Sequence, residues 1–424
     1  MNVEARGNLV GVAQQSPPVD LSIPYSASWI SGKTILITGG ASGFGEGFFR
    51  KWAANSANVI IGDINDTRGK ALVEEVRAET GNNGLHFVHC DVTDWQSQVD
   101  FFKAGVQLSP HGGIDAVVAN AGMVDVNPGD FHNPEGLNAD EPPKQDLQNL
   151  GLYQNVRYRR RVERFLKAYG MRALNIHSGS LAGFLISTDS YLKIWLTRRR
   201  PNLRAFEVNL IGVLYTTHLA YFYLPRNPRP QNKKPNSSAA PSANSPDRHL
   251  LLIGSLASIS ALPVLTQYSV SKHGVLGLFR SLRATSMNKG IRINILLPYF
   301  VETPLIGTFG RLLLAGGATG KPEDVVDAGT RFMADSRIIG RALAVGPKFA
   351  PDKDRDLLAT GEGQETAIYE VHLHDLDETD AFVSRFTRLV NNVEIARGWV
   401  GWAGDVMKAF ALPLGNWWRG GEPR

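Results

Sequence analysis

Apolar positions fall into two alternating patterns along the chain. Short unbroken runs occur at "KTILITGG" (33–40), "NVIIGD" (58–63), "LHFVHCD" (85–91), "DAVVANAG" (115–122), "HLLLIGS" (249–255) and "IRINILLP" (291–298). Runs of this length, rich in Ile, Val and Leu, predict strands buried on both faces. Between them lie longer segments with apolar positions at helical spacing. These are "GFGEGFFRKWAAN" (43–55), "DTRGKALVEEVRAE" (66–79), "LRAFEVNLIGVLYTTHLAYFYL" (203–224) and "YSVSKHGVLGLFRSLRAT" (268–285). Strands alternating with helices predict an α/β fold: a Rossmann-type, doubly wound parallel sheet in a single domain.

Three stretches break this rhythm. Residues from about 123 to 202 separate a strand from its helix by far more than an ordinary connection. Residues from about 225 to 248 include "RNPRPQNKKPNSSAAPSANSPDR", which has almost no apolar content and predicts a disordered surface loop. Beyond residue 346 comes a C-terminal extension in which Phe382, Phe386, Leu389, Val393, Val400 and Met407 fall near helical spacing, with tryptophans at 399, 402, 417 and 418. The expected organisation is a flexible N-terminal extension (1–30), the sheet domain (31–346, carrying the insertion and the loop), and an amphipathic helical extension (347–424). A helix of that kind packs on its own domain or on a partner subunit; Trp with Lys or Arg also suits a membrane interface.

Charge changes the picture only at the insertion. The chain has 424 residues and a net charge of +5. Between Asp146 and Arg200 there are eleven Arg or Lys against three Asp or Glu, a local +8 that leaves the remainder at −3. The basic balance therefore comes from one segment and does not imply nucleic-acid binding. Two origins fit the insertion: a lid or docking element, or translated non-coding sequence. One cysteine, Cys90, admits no internal disulfide, and no secretory leader or membrane-spanning run is read, so a reducing cytoplasmic setting is expected. No metal site is expected.

The turn "TGGASGFG" places Thr38, Gly39, Ser42, Gly43, Phe44 and Gly45 between the first strand and a helix. Glycines there let the backbone approach a pyrophosphate, and the helix start supplies free N–H groups and a positive dipole end. Asp63 ends the second strand, where a carboxylate can accept hydrogen bonds from ribose hydroxyls and would repel a 2′-phosphate; the alternative is a strand-end or capping aspartate. No arginine directly follows Asp63, and Ser42 stands where a basic residue could have met a phosphate. NAD is therefore expected over NADP. Asp91 and Val92 after the third strand suit the adenine edge, or Asp91 is a turn residue. Asn120, Ala121 and Gly122 end the fourth strand and either shape the cofactor floor or cap the strand.

"LTQYSVSKHGVLG" sets Tyr268 one helical turn before Lys272, on one helix face. A free phenol has a pKa of about 10, and a neighbouring ammonium favours its phenolate form. Such a phenol can take the proton of an alcohol while hydride leaves for a nicotinamide, or return it to a carbonyl. Lys272 can also hold the nicotinamide ribose. Ser255 ends its strand thirteen residues before Tyr268 and can fix the reacting oxygen, with Ser258 and Ser260 as competitors for that role.

Taken together these residues resemble the classical short-chain dehydrogenase/reductases, over roughly residues 31–345 without the insertion. The resemblance identifies "TGGASGFG" with the family's glycine turn, Ser255 with its catalytic serine, and Tyr268 and Lys272 with its Tyr-xxx-Lys pair. It also implies that Asn209, in "FEVNLIGVL", is the catalytic asparagine, supporting a water that links the lysine to solvent. "GSLAS…PVLTQYSVSKHG" is similar to the NAD-dependent hydroxyprostaglandin dehydrogenase branch. After the sixth strand the family has Pro-Gly where this chain has Pro298-Tyr299, while Val301 and Thr303 match positions that contact the nicotinamide amide. The following "LIGTFGRLLLAGG" is apolar and suits a cover over an apolar substrate. The resemblance implies an enzyme that interconverts a secondary alcohol and a ketone with NAD(P), acting on a small molecule as an oligomer of identical subunits. A catalytically inactive dinucleotide-binding protein is the alternative.

Overall fold

In the computed structural model the described residues are 13–124, 203–228, 247–262, 265–301, 303, 319–349, 365–371, and, in the last helical stretch, 383, 385–393, 395, 396, 399, 401 and 403. Two compact units divide the chain: Met1–Val124 with Ala205–Leu262 and Tyr268–Arg424, and Asp125–Arg204 with Pro263–Gln267. The smaller consists almost entirely of residues outside those described, as do the basic stretch of the insertion, the Pro- and Ser-rich loop and the apolar run at 305–317.

The larger unit is built on strands β1 (Thr34–Thr38), β2 (Asn58–Asp63), β3 (Leu85–His89), β4 (Ala116–Ala119), β5 (His249–Ile253), β6 (Arg292–Pro298), β7 (Ala342–Phe349) and β8 (Thr366–Val371). They lie in the order β3-β2-β1-β4-β5-β6-β7-β8. All neighbours are parallel except β7 and β8, which run antiparallel. Every residue of β1, β4, β5 and β6 is buried. That explains their unbroken apolar runs: a strand covered on both faces has no solvent side to alternate with.

Helices cover both faces. On one, α1 (Gly43–Ala53) and α6 (Pro322–Ala334) meet through Phe48, Phe49, Trp52, Phe332 and Met333. Phe48 and Trp52 stack at 4.9 Å, and Trp52 Nε1 donates to Thr330 Oγ1 at 3.1 Å, so the buried indole keeps a hydrogen-bond partner. The side of α2 (Asp66–Thr80) that holds Leu72, Val73 and Val76 belongs to the same layer. On the other face α3 (Trp95–Leu108), α4 (Val213–Tyr223) and α5 (Thr266–Arg283) bury Phe101, Phe102, Leu219, Ala220, Val275 and Phe279.

The sheet passes residue 346, where the sequence pattern ends the domain: β7 continues to Phe349 and β8 adds an antiparallel edge. The long helix read at 203–224 is not one regular helix. It begins as a short α turn (Arg204–Phe206), passes through a π-helical turn (Glu207–Gly212), and only then becomes α4.

Candidate active site

The helices after β1 and β4 cover opposite faces of the sheet, so a crevice opens where the carboxyl ends of these neighbouring strands part. The residues singled out from sequence converge there. At the head of β1 the chain turns through Gly39, whose φ of +64° is left-handed and whose Cβ, were there one, would lie 2.7 Å from Ala121 Cα. A Cβ on Gly45 would stand 2.2 Å from Gly39 O. The start of α1 therefore folds back onto the turn as only glycine permits.

Asn120 clamps the same turn. Its Nδ2 donates to Thr38 O and to Gly39 O, both at 2.9 Å. Thr38 is buried and its hydroxyl joins the two strand ends, donating to Val118 O at 3.3 Å and accepting from Asn120 N at 3.1 Å and Ala121 N at 3.2 Å. Thr38 and Asn120 are thus committed to holding the crevice open in one shape.

Gly43 differs from its neighbours. Its φ is +54°, and the nearest atom to a Cβ placed there would be Thr303 Cβ, 4.0 Å away. The backbone is exposed to open space beside the N-terminus of α1, whose first N–H groups have no intrahelical partners. Ser42, the exposed N-cap, makes no capping hydrogen bond with its side chain, while Phe44 packs partly against the core. These features fit a pyrophosphate: an unfilled space, free donors and a favourable dipole.

Asp63 takes the turn-bracing role weighed from sequence. Its Oδ2 accepts from Ala41 N in the glycine turn and its Oδ1 from Asn65 N, each at 3.0 Å. The carboxylate braces the turn and, with two lone pairs per oxygen, retains acceptor capacity toward a ribose. Arg68, the nearest arginine in sequence, is turned to Glu46 at 2.7 Å and Glu75 at 3.4 Å. Asp91 holds its own turn, accepting at Oδ1 from Thr93 N at 2.9 Å and Thr93 Oγ1 at 2.7 Å. Val92 is buried, and a Cβ on Gly212 would lie 3.0 Å from it.

Tyr268, Lys272, Asn209 and Ser255 are all buried. Lys272 Nζ donates to Ile253 O at 3.0 Å and lies 5.8 Å from the centre of the Tyr268 ring. Burial lowers its pKa from 10.5 to about 8, because taking the ammonium out of water disfavours the charged form. Gly122 adjoins both Lys272 and Asn209: a Cβ there would be 3.6 Å from Lys272 Nζ and 3.4 Å from Asn209 Oδ1. Asn209 sits in the π turn. Its Oδ1 accepts from Met123 N at 2.8 Å and its Nδ2 donates to Met123 O at 2.7 Å and to Ser271 Oγ at 3.2 Å. Ser255 caps a short 3₁₀ turn, accepting from Ala257 N at 3.1 Å and donating to Pro298 O at 3.4 Å. Ser258 is turned back onto Ser255 N at 3.1 Å, and Ser260 is exposed.

The short chain dehydrogenase family model matches residues 33–139 and 244–311. A 5′-hydroxyaverantin dehydrogenase from Dothistroma septosporum is 30% identical over 337 residues, 77% of this chain and 89% of that protein. The chain belongs to the short-chain dehydrogenase/reductase family. A 5′-hydroxyaverantin dehydrogenase from Emericella nidulans is likewise 30% identical, over 80% of this chain and 92% of that protein. An NADP-dependent dehydrogenase from a Phoma species is 28% identical, covering 74% of each chain. As a member of this family the protein is an oxidoreductase that acts on CH–OH donors with a nicotinamide dinucleotide as acceptor. None of these three relatives is named a hydroxyprostaglandin dehydrogenase.

Against the family pattern, the departure at Tyr299 leaves the backbone path intact. Among the described residues the non-glycine positions with positive φ are Gln14 and Ser56. Tyr299 N donates to Val345 O at 2.7 Å, continuing the ladder between β6 and β7, so a side chain is tolerated. Val301 bridges to Gly320 and is buried; Thr303 is buried too, placed over Gly43. Two features were not legible in the sequence. The π turn has no side-chain signature, although Gly212 in "NLIG" marks the close approach to Val92. Ser271 ties Asn209 to the helix that carries Tyr268 and Lys272, donating to Tyr268 O at 2.7 Å.

Proposed function

We propose that this dehydrogenase interconverts a secondary alcohol and a ketone on a small apolar substrate, with NAD as the preferred cofactor. The observation that carries the reading is a buried lysine, with no carboxylate partner among the described residues, one turn from a buried tyrosine at the mouth of the crevice. A bound nicotinamide dinucleotide supplies the hydride acceptor for oxidation, or the donor for reduction. The chain's own groups handle the proton and the geometry. Ser255 Oγ holds the reacting oxygen. Tyr268 Oη removes the hydroxyl proton as the carbonyl forms, and donates it in the reverse direction. Lys272, protonated below a pH of about 8, favours the phenolate and faces the nicotinamide ribose. Asn209 fixes the Met123 backbone beside Lys272 and supports the route by which the proton reaches solvent.

The turn from Gly39 to Gly45 and the start of α1 would hold the dinucleotide through its pyrophosphate. Val92 and Asp91 would serve the adenine, Asn120 to Gly122 the floor of the site, and Val301 and Thr303 the nicotinamide amide. The NAD preference rests on Asp63 at the ribose position and on Arg68 being held by Glu46 and Glu75. The apolar run at 305–317 and the relatives' alcohol substrates support an apolar secondary alcohol. The domain organisation we favour is a nucleotide-binding domain from residue 31 that carries the insertion, followed by a C-terminal helical extension.

Initial rates on a panel of apolar secondary alcohols and ketones, each with NAD and NADP, test this reading. Turnover with NAD favoured about tenfold or more is expected, and Asp63→Ser is expected to erode that preference by about 1.5–3 kcal/mol, roughly one hydrogen bond to a charged group. Cofactor binding without turnover on any substrate would instead indicate a dinucleotide-binding protein.

A further inference from the structure

The helix that follows the sheet packs with its polar side inward. Residues 385–393 are helical, and the side chains they bury are Thr387 and Asn391. Asn391 Oδ1 accepts from Asn288 Nδ2 at 2.7 Å, and its Nδ2 donates to Ala284 O at 3.4 Å, so two amides join the helix to the domain. The apolar side chains point away: Phe386 is 58% exposed, Leu389 61% and Val393 44%. Their spacing of three and four aligns them in one stripe. A helix whose purpose is to pack on its own domain buries that stripe; this one presents it.

We propose that this stripe docks the enzyme on an anionic lipid surface. Arg385 and Arg388 are exposed on the same helix, and in sequence the stretch 383–403 carries three arginines, at 385, 388 and 397, against one carboxylate, Glu394. The acids nearest before it, Asp375 to Asp380, stand five or more residues ahead of Arg385 in sequence. Trp399, within the last helical stretch, is 66% exposed. Apolar residues, Trp and Arg on one amphipathic helix match the interfacial region of a bilayer, where the rings and stripe enter the headgroup boundary and the guanidinium groups meet phosphates. No helix among the described residues is long and apolar enough to cross a membrane, so the contact is peripheral. Area separates lipid from a second copy of the chain. The described run 385–393 spans about 14 Å as a helix, and a stripe about 10 Å wide gives roughly 140 Å², well below the ~800 Å² per partner of a stable protein interface.

Sedimentation of the full-length protein with vesicles tests the proposal, comparing phosphatidylcholine alone with phosphatidylcholine containing phosphatidylserine. The protein is expected to pellet with the anionic vesicles, to be released by salt, and to remain in solution with neutral ones. The Phe386→Ser/Leu389→Ser and Arg385→Glu/Arg388→Glu variants are each expected to lose about tenfold or more in vesicle affinity while keeping the wild-type melting temperature and NADH affinity. Failure of the wild type to bind anionic vesicles, or binding unchanged in both variants, would overturn the proposal. So would a dimer in sedimentation velocity that the Phe386→Ser/Leu389→Ser change dissolves, which would assign the stripe to a second copy.

Discussion

Lys272 shows how one residue ties the fold to the chemistry. Its ammonium is buried, donates to a single carbonyl, Ile253 O, and titrates near 8 instead of 10.5. The cost of burial falls on the charged form, so the lysine is protonated at neutral pH yet ready to lose its proton. The folded pKa lies below the unfolded one. Between about 8 and about 10.5 the unfolded chain therefore holds a proton that the folded chain has released, and stability rises with pH across that window. Below it both states are protonated and the burial penalty is present in full. We expect denaturant melts of the cofactor-free protein to show Lys272→Met more stable than wild type below pH 8, by up to about 3 kcal/mol, with the gap closing towards pH 10.5. A gap independent of pH would show that the lysine is not desolvated. The residue pair itself was legible in the sequence because one helical turn fixes the Tyr–Lys geometry. The placement of Ser255 against Ser258 was not, because a capping hydrogen bond on a short 3₁₀ turn decides it.

Elements carried more of the fold in some places than in others. Four of the six strands with unbroken apolar runs, β1, β4, β5 and β6, were readable because every residue in them is buried. The strand β3 lies at the sheet edge and is mostly half-buried, a departure from the burial on both faces that its run predicts. By contrast α3, α6, β7 and β8 were not singled out. "ALAVGPKF" mixes small residues with Gly and Pro, and β8 is an edge strand paired only on the side of β7. The π turn escaped notice for a different reason: its extra residue per turn answers to tertiary demand, where Gly212 must meet Val92 and Asn209 must reach Met123. Such turns concentrate at functional sites. Removing the amide should therefore affect stability and chemistry together. Asn209→Ala leaves the Met123 N–H and C=O without these partners, and we expect a loss of about 1–3 kcal/mol in denaturant melts together with slower turnover. Asn209→Asp should restore the acceptor to Met123 N alone and recover only part of either. Wild-type stability in Asn209→Ala would mean that the clamp is incidental.

At the scale of the whole molecule, the strand order explains why residues more than two hundred apart in sequence share one crevice. Thr38, Asn120, Ser255 and Tyr299 stand at or just beyond the carboxyl ends of β1, β4, β5 and β6, and parallel pairing places all four ends on one side of the sheet. The opposite end holds a different solution to burial: Asp247 is paired with both Lys33 and Arg292, with all three side chains almost fully buried. Charge there is paired and fixed, while Lys272 at the crevice is held by a backbone carbonyl, which is the contrast expected between a structural and a catalytic end. The central claim, that Tyr268 moves the substrate proton beside a dinucleotide held by the glycine turn, is tested most directly by single-turnover hydride transfer at saturating cofactor, comparing wild type with Tyr268→Phe and measuring NADH affinity for both. The account predicts a rate lower by about 10²–10⁴-fold with cofactor affinity unchanged within a few-fold. A Tyr268→Phe enzyme that transfers hydride at the wild-type rate would contradict it.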